Sequence, residues 1–168
     1  MVTASYIDPM IAHYAATAGP ADAGRVGLIG TSMGGAVICH YLPQRHSAVK
    51  SAVAMIAAIP AVWPIALRKA RPLYPAFGVT DAMIAQAESV PYPPFLGGVQ
   101  DFPLLLQYGE ADPLIPVEAI RSVHAEVRER WGDPTKLALR TYPGAGHETP
   151  PQMLADAFAW LERHLCTS

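Results

Sequence analysis

Apolar runs alternate along the chain with stretches whose apolar residues recur at helical spacing. The apolar runs predict four strands, at residues 25–30, 49–59, 102–108 and 136–142. The stretches of helical period predict helices at residues 6–18, 33–42, 116–131 and 153–165. Such alternation is typical of a parallel sheet covered by helices on both faces. We therefore expect a three-layer α/β/α fold with a short, four-stranded parallel sheet.

The spacing of apolar residues also predicts which side of each helix faces the sheet. In the helix at 116–131 the inward residues are expected to be Ile120, Val123, Val127 and Trp131. In the last helix they are expected to be Leu154, Phe158, Leu161 and Leu165. The run at 49–59 is almost continuously apolar, which indicates a strand buried on both faces.

Residues 60–98 interrupt this alternation. The segment is rich in proline and aromatic residues, and only one short helix is predicted in it, after Thr80. A connection of this length is more often a lid or a pocket insertion than a plain loop. The alternative is an irregular surface excursion with no role in binding. If the segment forms a pocket, Trp63 and Phe77 are candidates for its wall. We expect residues 1–168 to form one domain that carries this insertion.

Composition narrows the class of protein. The 168 residues are 51% hydrophobic and 15% charged, with a net charge of −2, which does not indicate a nucleic-acid-binding surface. The two cysteines, Cys39 and Cys166, lie far apart and outside any CxxC pattern, so neither a disulfide framework nor a zinc site is expected. The N-terminal residues lack a signal-peptide pattern, and no apolar run is long enough to span a bilayer. We expect a cytoplasmic protein that does not bind membranes.

One short motif indicates chemistry. Residues 30–34 read Gly-Thr-Ser-Met-Gly, which matches G-x-S-x-G between a predicted strand and a predicted helix. In that setting the turn exposes the hydroxyl of Ser32 at the carboxyl end of the strand. We expect Gly30 and Gly34 to be required because a β-carbon at either position would collide with its neighbours. The backbone N–H of Met33, at the start of the helix, is then a candidate oxyanion donor.

A serine nucleophile needs a base and a group that orients the base. Five of the six histidines fall in or beside predicted helices, whereas His147 lies in a loop just after a strand, where open α/β sheets gather their sites. The candidate for the acid is Asp112, which follows the strand at 102–108 and therefore also lies at the C-terminal edge of the sheet. Glu110 is a local alternative, and Asp112 could instead serve only to cap its own turn. Asp133 lies at the opposite edge and is a poor candidate.

These segments together resemble the α/β-hydrolase family. The stretches "GRVGLIGTSMGG", "LLLQYGEADPLIP" and "YPGAGHE" look most like its dienelactone-hydrolase and prolyl-oligopeptidase-like branches, with serine rather than cysteine at position 32. The order serine, acid, histidine is the one expected of that family. The resemblance implies that Ser32 is the nucleophile, His147 the general base and Asp112 the group that orients it. The implied reaction is acyl transfer to water through an acyl-enzyme.

The resemblance departs from the family pattern before the serine. Only about thirty residues precede Ser32, and they contain no HG-type motif that would donate the second oxyanion N–H. The strand at 25–30 would then be an edge strand with unpaired hydrogen-bonding groups. Two explanations are open: a shortened hydrolase that pairs this edge with something else, or the C-terminal part of a longer hydrolase, which we favour. Pairing of the exposed edge with a second copy would give a homo-oligomer.

Two hypotheses about function follow. The first is a serine hydrolase that cleaves small carboxylic esters with a Ser32–His147–Asp112 triad and, since the sequence has no P-loop, no G-x-G-x-x-G and no histidine pair at ligand spacing, without a metal or cofactor. The second is a non-catalytic or weakly active hydrolase fragment that acts as a binding or oligomerising module. The triad alone does not distinguish ester, thioester and peptide substrates.

Overall fold

A computed structural model describes residues 2–17, 24–45, 47–89, 96 and 99–166 of the chain. At its centre is a sheet of four parallel strands, whose order in space is the same as their order in the chain. The strands are β1 (Val26–Thr31), β2 (Val49–Met55), β3 (Leu104–Gly109) and β4 (Leu137–Tyr142). The α/β class and the four-stranded parallel sheet predicted from the sequence are confirmed.

Six α-helices surround the sheet in the described part of the chain. They are α1 (Ile7–Thr17), α2 (Met33–Tyr41), α3 (Trp63–Ala70), α4 (Asp81–Ser89), α5 (Val117–Glu129) and α6 (Pro151–Leu165). Short 3-10 helices occupy Val2–Tyr6, Leu42–Gln44, Arg71–Phe77 and Pro134–Lys136. None of the helices in these described segments is long and apolar enough to cross a membrane.

The core lies on both faces of the two central strands. Along β2, Ala52 and Ala54 belong to the apolar cluster shared with α2 and α5, whereas Val53 and Met55 belong to the cluster covered by α6. Successive side chains of a strand point to opposite faces, so this division places helices on both sides of the sheet. Continuous burial of β3 has the same cause.

The inward face of α6 differs in part from the prediction. The buried residues are Met153, Ala157 and Trp160, whereas the predicted Leu154 and Phe158 are exposed, Phe158 by 61%. The predicted Leu161 is partly buried against the same cluster. Both sets recur at helical spacing, and the set containing the larger Trp160 lies against the sheet. The predicted face of α5 is correct at Ile120 and Val127, and Val123 is partly buried against the same cluster. Trp131 is also buried there, as predicted, although α5 ends at Glu129.

Two predictions about β2 and the segment that follows it are also corrected. The second strand ends at Met55 rather than at residue 59, because Ile56 adopts a left-handed conformation with φ 45°. The segment between β2 and β3 contains α3 as well as the predicted helix after Thr80. Pro64 lies in the first turn of α3, where its missing N–H and fixed φ are compatible with a helix.

Strand β1 lies at one edge of the sheet, as predicted. Among the strands that the structure describes, it pairs with β2 only, in parallel, with Gly30 opposite Ala54 and Thr31 opposite Met55. Its apolar side chain at Ile29 is 40% exposed. The carboxyl end of β1 is therefore both the start of the serine turn and the end of an edge strand.

Candidate active site

Ser32 occupies a strained turn between β1 and α2. The strand ends at Thr31 and the helix begins at Met33, so one residue reverses the chain, with φ 52° and ψ −113°. Its amide donates to the Met55 carbonyl at 2.8 Å, and its carbonyl accepts from the Ala36 amide at 3.0 Å. The backbone of Ser32 is thus held from both sides. Its hydroxyl does not cap the helix, although serine often does so in this position.

The glycines of this turn have unequal roles. A β-carbon at Gly30 would lie 2.6 Å from the carbonyl carbon of Gly34, so the strand and the helix could not approach as they do. A β-carbon at Gly34 would contact nothing within 4 Å, and the predicted collision there is wrong. The second tight position is Gly35, where a β-carbon would lie 2.8 Å from that of Ala57 and 3.0 Å from the Gly30 oxygen.

His147 lies in the loop between β4 and α6 and reaches the serine turn. Its Nε2 lies 2.9 Å from the hydroxyl oxygen of Ser32, across a separation of 115 residues in the chain. Its Nδ1 lies 2.8 Å from Oδ2 of Asp112. The other histidines of the described chain lie on helices α1, α2, α5 and α6. His46 falls outside the described residues.

Asp112 is buried, and both oxygens of its carboxylate accept hydrogen bonds. Its side chain has no solvent exposure, and Oδ1 accepts from the amides of Leu114 at 2.7 Å and Ile115 at 2.9 Å. The carboxylate therefore caps its own turn and contacts His147 at the same time. Glu110, the local alternative, turns away and pairs with Arg121 at 2.7 Å.

The hydrogen bonds of this site fix the direction in which a proton can move. A carboxylate can only accept, so Nδ1–H of His147 donates to Asp112. The lone pair of Nε2 then faces the hydroxyl of Ser32 and can accept its proton. The side chain of Asp112 is orientated by two backbone amides and does not need to move. The structure thus brings together the three side chains that the sequence selected.

An apolar pocket of about 300 Å³ opens beside Ser32 and His147. Its other walls are formed by Met33, Ala36, Ala58, Trp63, Ala66, Leu67, Leu114 and Ile115. Helix α3, in the segment between β2 and β3, supplies three of these, among them the predicted Trp63. The side chain of Phe77, the other predicted wall residue, lies outside what the structure describes. No set of three or more His, Cys, Asp or Glu side chains in the described ranges is arranged to hold a metal ion.

Solved structures of several proteins, among them an esterase, have the same fold. The esterase Pf2001 of Pyrococcus furiosus matches 95% of this chain with a TM-score of 0.68 and 17% identity. A protein assigned as a dienelactone hydrolase from Klebsiella pneumoniae matches 98% with a TM-score of 0.64 and 18% identity. SOBER1 of Arabidopsis thaliana matches 97% with a TM-score of 0.57 and 19% identity. The chain has the α/β-hydrolase fold.

Sequence comparison gives a shorter match to a hydrolase. Over 63 residues, or 38% of the chain, it is 35% identical to acyl-protein thioesterase 1 of Gibberella zeae. No protein-family model matches the chain. This α/β-hydrolase-fold chain spans 60%, 60% and 61% of the lengths of the esterase, dienelactone-hydrolase and SOBER1 structures, and 26% of the thioesterase.

One residue of this candidate site was not selected from the sequence. Gly109 ends β3, and a β-carbon there would lie 2.3 Å from the Ala145 oxygen and 2.4 Å from the Gly146 oxygen. The loop that carries His147 therefore rests on this glycine. The available signal was the glycine in "YGEAD", between the strand and the acid. Its need for a close backbone approach appears only once residues 109 and 145 meet.

Proposed function

We propose that the chain is a serine hydrolase that cleaves small carboxylic esters through an acyl-enzyme. Ser32 is the nucleophile, His147 the general base and Asp112 the carboxylate that orients the imidazole. The observation that carries this proposal is the continuous pair of hydrogen bonds, 2.9 Å from the serine oxygen to Nε2 and 2.8 Å from Nδ1 to the carboxylate. A hydroxyl placed in this way becomes a competent nucleophile only when the imidazole removes its proton.

The reaction proceeds in two acyl transfers. Ser32 Oγ attacks the ester carbonyl as its proton passes to Nε2 of His147, and the carbonyl oxygen becomes negatively charged. The amide of Met33, the first residue of α2, is not used within the helix and is available to that oxygen. Collapse of the intermediate expels the alcohol, which takes the proton from His147. Water activated by His147 then attacks the acyl-enzyme and releases the acid and the free serine.

The pocket indicates the kind of acyl group. Apart from Ser32 and His147, its lining residues are all apolar, so it favours a neutral hydrocarbon chain over an acyl group that bears a carboxylate. A volume of about 300 Å³ is at the small end of ligand pockets. Both oxygen esters and thioesters fit this chemistry, and the short match to a thioesterase supports testing both.

A fluorophosphonate probe tests the assignment of the nucleophile. Such a probe forms a covalent bond with an activated serine, so the folded protein should be labelled at one site. Ser32→Ala should remove the label. Ser122→Ala is the matched control, because Ser122 is exposed on α5 and its hydroxyl donates only to a helix carbonyl of Glu118. Absence of labelling in a folded sample, or equal labelling of Ser32→Ala, would refute the proposal.

The exposed strand supports a second candidate, an associating module. The strand at the other edge, β4, carries a charged residue, Arg140, which pairs with Asp156. Strand β1 instead presents an exposed apolar side chain, Ile29. Unprotected edges of this kind pair with other strands. Association of two copies through β1 predicts a dimer in sizing experiments that Ile29→Lys converts to monomer. A monomeric unaltered chain with a cooperative melt would contradict this candidate.

A further inference from the structure

The segment after β2 supports the serine turn. Strand β2 ends at Met55, whose carbonyl accepts the hydrogen bond from the Ser32 amide at 2.8 Å. The next residue, Ile56, has φ 45°, an outlier for a β-branched side chain. The two strained residues of the site, Ser32 and Ile56, are therefore connected through a single backbone hydrogen bond and one peptide unit.

Two hydrogen bonds from β3 hold this segment in place. The amide of Ile56 donates to the carbonyl of Gln107 at 2.7 Å. The hydroxyl of Tyr108 donates to the carbonyl of Ala57, also at 2.7 Å, and both of these residues are completely buried. A strained backbone persists only where its surroundings over-determine it. The contacts from β3 therefore fix the positions of Ile56 and Ala57.

Ala57 passes this constraint to the serine turn by direct contact. A β-carbon at Gly35 would lie 2.8 Å from the β-carbon of Ala57, so the first turn of α2 lies directly on that residue. The following residue, Ala58, lines the pocket beside Ser32. A displacement of Ala57 would therefore shift both the backbone that carries the serine and one wall of the pocket.

We infer that Tyr108 is a positioning residue for Ser32, which its hydroxyl holds in place through the carbonyl of Ala57 and the strained segment after β2. The inference deepens the proposed function, because it rests on Ser32 as the nucleophile. Burial, with smaller contributions from Cys39 and Asp112, raises the pKa of the Tyr108 hydroxyl well above its ordinary value. The hydroxyl accordingly remains a neutral donor at neutral pH.

Replacing Tyr108 with phenylalanine tests the inference. The substitution Tyr108→Phe removes the hydroxyl and keeps the ring that fills the core. The rate of fluorophosphonate labelling at Ser32 and kcat should both fall about tenfold, since a small misplacement of a reacting group costs up to about a hundredfold. Hydrogen exchange of the Ser32 amide should become about tenfold faster.

In the matched control Tyr41→Phe, a buried hydroxyl that donates to Asp8 on α1 is lost. Its melting temperature should fall without a change in labelling.

The outcomes separate the two proposals. Wild-type labelling and unchanged Ser32 exchange in Tyr108→Phe overturn the positioning role and leave the proposed function intact. If the unaltered protein is not labelled, the proposed function fails, and exchange of the Ser32 amide alone decides the positioning role. If Tyr108→Phe does not fold, NMR of the hydroxyl proton of Tyr108 in the unaltered protein decides: slow exchange supports its bond to the Ala57 carbonyl and the inference, and rapid exchange overturns both.

Discussion

A β-carbon at Gly109 would lie 2.3 Å from the carbonyl oxygen of Ala145. The loop that carries His147 therefore lies directly on the end of β3, closer than any other residue type at position 109 would allow. The same approach lets the amide of Ala111 donate to the Ala145 carbonyl at 2.9 Å. One glycine thus sets the separation between the loop of Asp112 and the loop of His147.

Gly109→Ala should therefore separate the acid from the base. We expect kcat/KM to fall at least about a hundredfold and the free energy of unfolding to fall by about 2 kcal/mol, because the new methyl group overlaps backbone that cannot yield easily. Gly146→Ala is the matched control, since a β-carbon there meets nothing within 4 Å. Ester hydrolysis and urea unfolding measure the two effects. Equal activity of both variants would contradict the role assigned to Gly109.

The two glycines of the G-x-S-x-G motif should respond in opposite directions. Gly30→Ala places a methyl group 2.6 Å from the backbone of Gly34 and should cost about 2 kcal/mol or more of stability, together with most of the activity. Gly34→Ala meets open space in the first turn of α2 and should stabilise the protein by about 0.5 kcal/mol, because alanine favours helix. Thermal melts of the pair test this. Similar losses of stability in both variants would show instead that both glycines are required, as the motif predicts.

The sequence predicted what depends on continuous patterns. Strand β3 follows from the run Leu104–Leu106, since such residues are buried only when both faces of a sheet are covered. Ser32, Asp112 and His147 each follow a predicted strand, and parallel strands bring their carboxyl ends to one edge. The three side chains could therefore be selected before any distance was known.

Contacts between distant segments were not predictable in this way. The face of α6 was misassigned at Leu154 and Phe158 because they recur with the same period as the buried Met153 and Trp160. The end of β2 was placed too late because the apolar run continues through the turn at Ile56. In each case the deciding interaction lies in another element of the fold, which periodicity does not register.

Asp112→Asn should impair the imidazole without disturbing the fold. The amide oxygen can still accept from the two backbone amides, but the amide nitrogen would donate to Nδ1 of His147 and stabilise the wrong tautomer. We expect kcat to fall about 10³–10⁴-fold, the magnitude of the comparable change in a serine protease. Asp133→Asn is the control, because Asp133 caps the 3-10 helix before β4 and pairs with Lys136, and it contacts neither Ser32 nor His147. A loss of less than tenfold would count against the orienting role.

Trp63 should determine affinity for the acyl chain. Trp63→Ala removes a large apolar surface from the pocket wall, so KM for a hexanoyl ester should rise about tenfold, corresponding to about 1.4 kcal/mol. The acetyl ester, which reaches less of the pocket, should be affected little. Ile65→Ala on the same helix is the control, since Ile65 is exposed and does not line the pocket. An equal change in KM for acetyl and hexanoyl esters would show that Trp63 does not contact the acyl group.

The stability of the fold should decrease on mild acidification. Burial lowers the pKa of His124, whose Nε2–H donates to the Leu137 carbonyl at 3.1 Å, and it also lowers the pKa of His164. A histidine with a lowered pKa in the folded state binds protons more readily when unfolded. Its contribution to the free energy of unfolding is therefore complete above about pH 6.5 and is lost as the pH falls below that value. Asp133 and Asp156, whose pKa values are also lowered, change the stability only near and below pH 4.

The midpoint of urea unfolding should accordingly fall between pH 7.5 and pH 5.5. In His124→Gln the amide nitrogen can replace Nε2 as a donor to Leu137 without titrating, so the fall should be smaller, with the remainder arising from His164. The measured quantity is therefore the difference in this fall between the unaltered protein and His124→Gln. A midpoint that stays constant or rises on acidification would show that burial does not disfavour the charged form of His124.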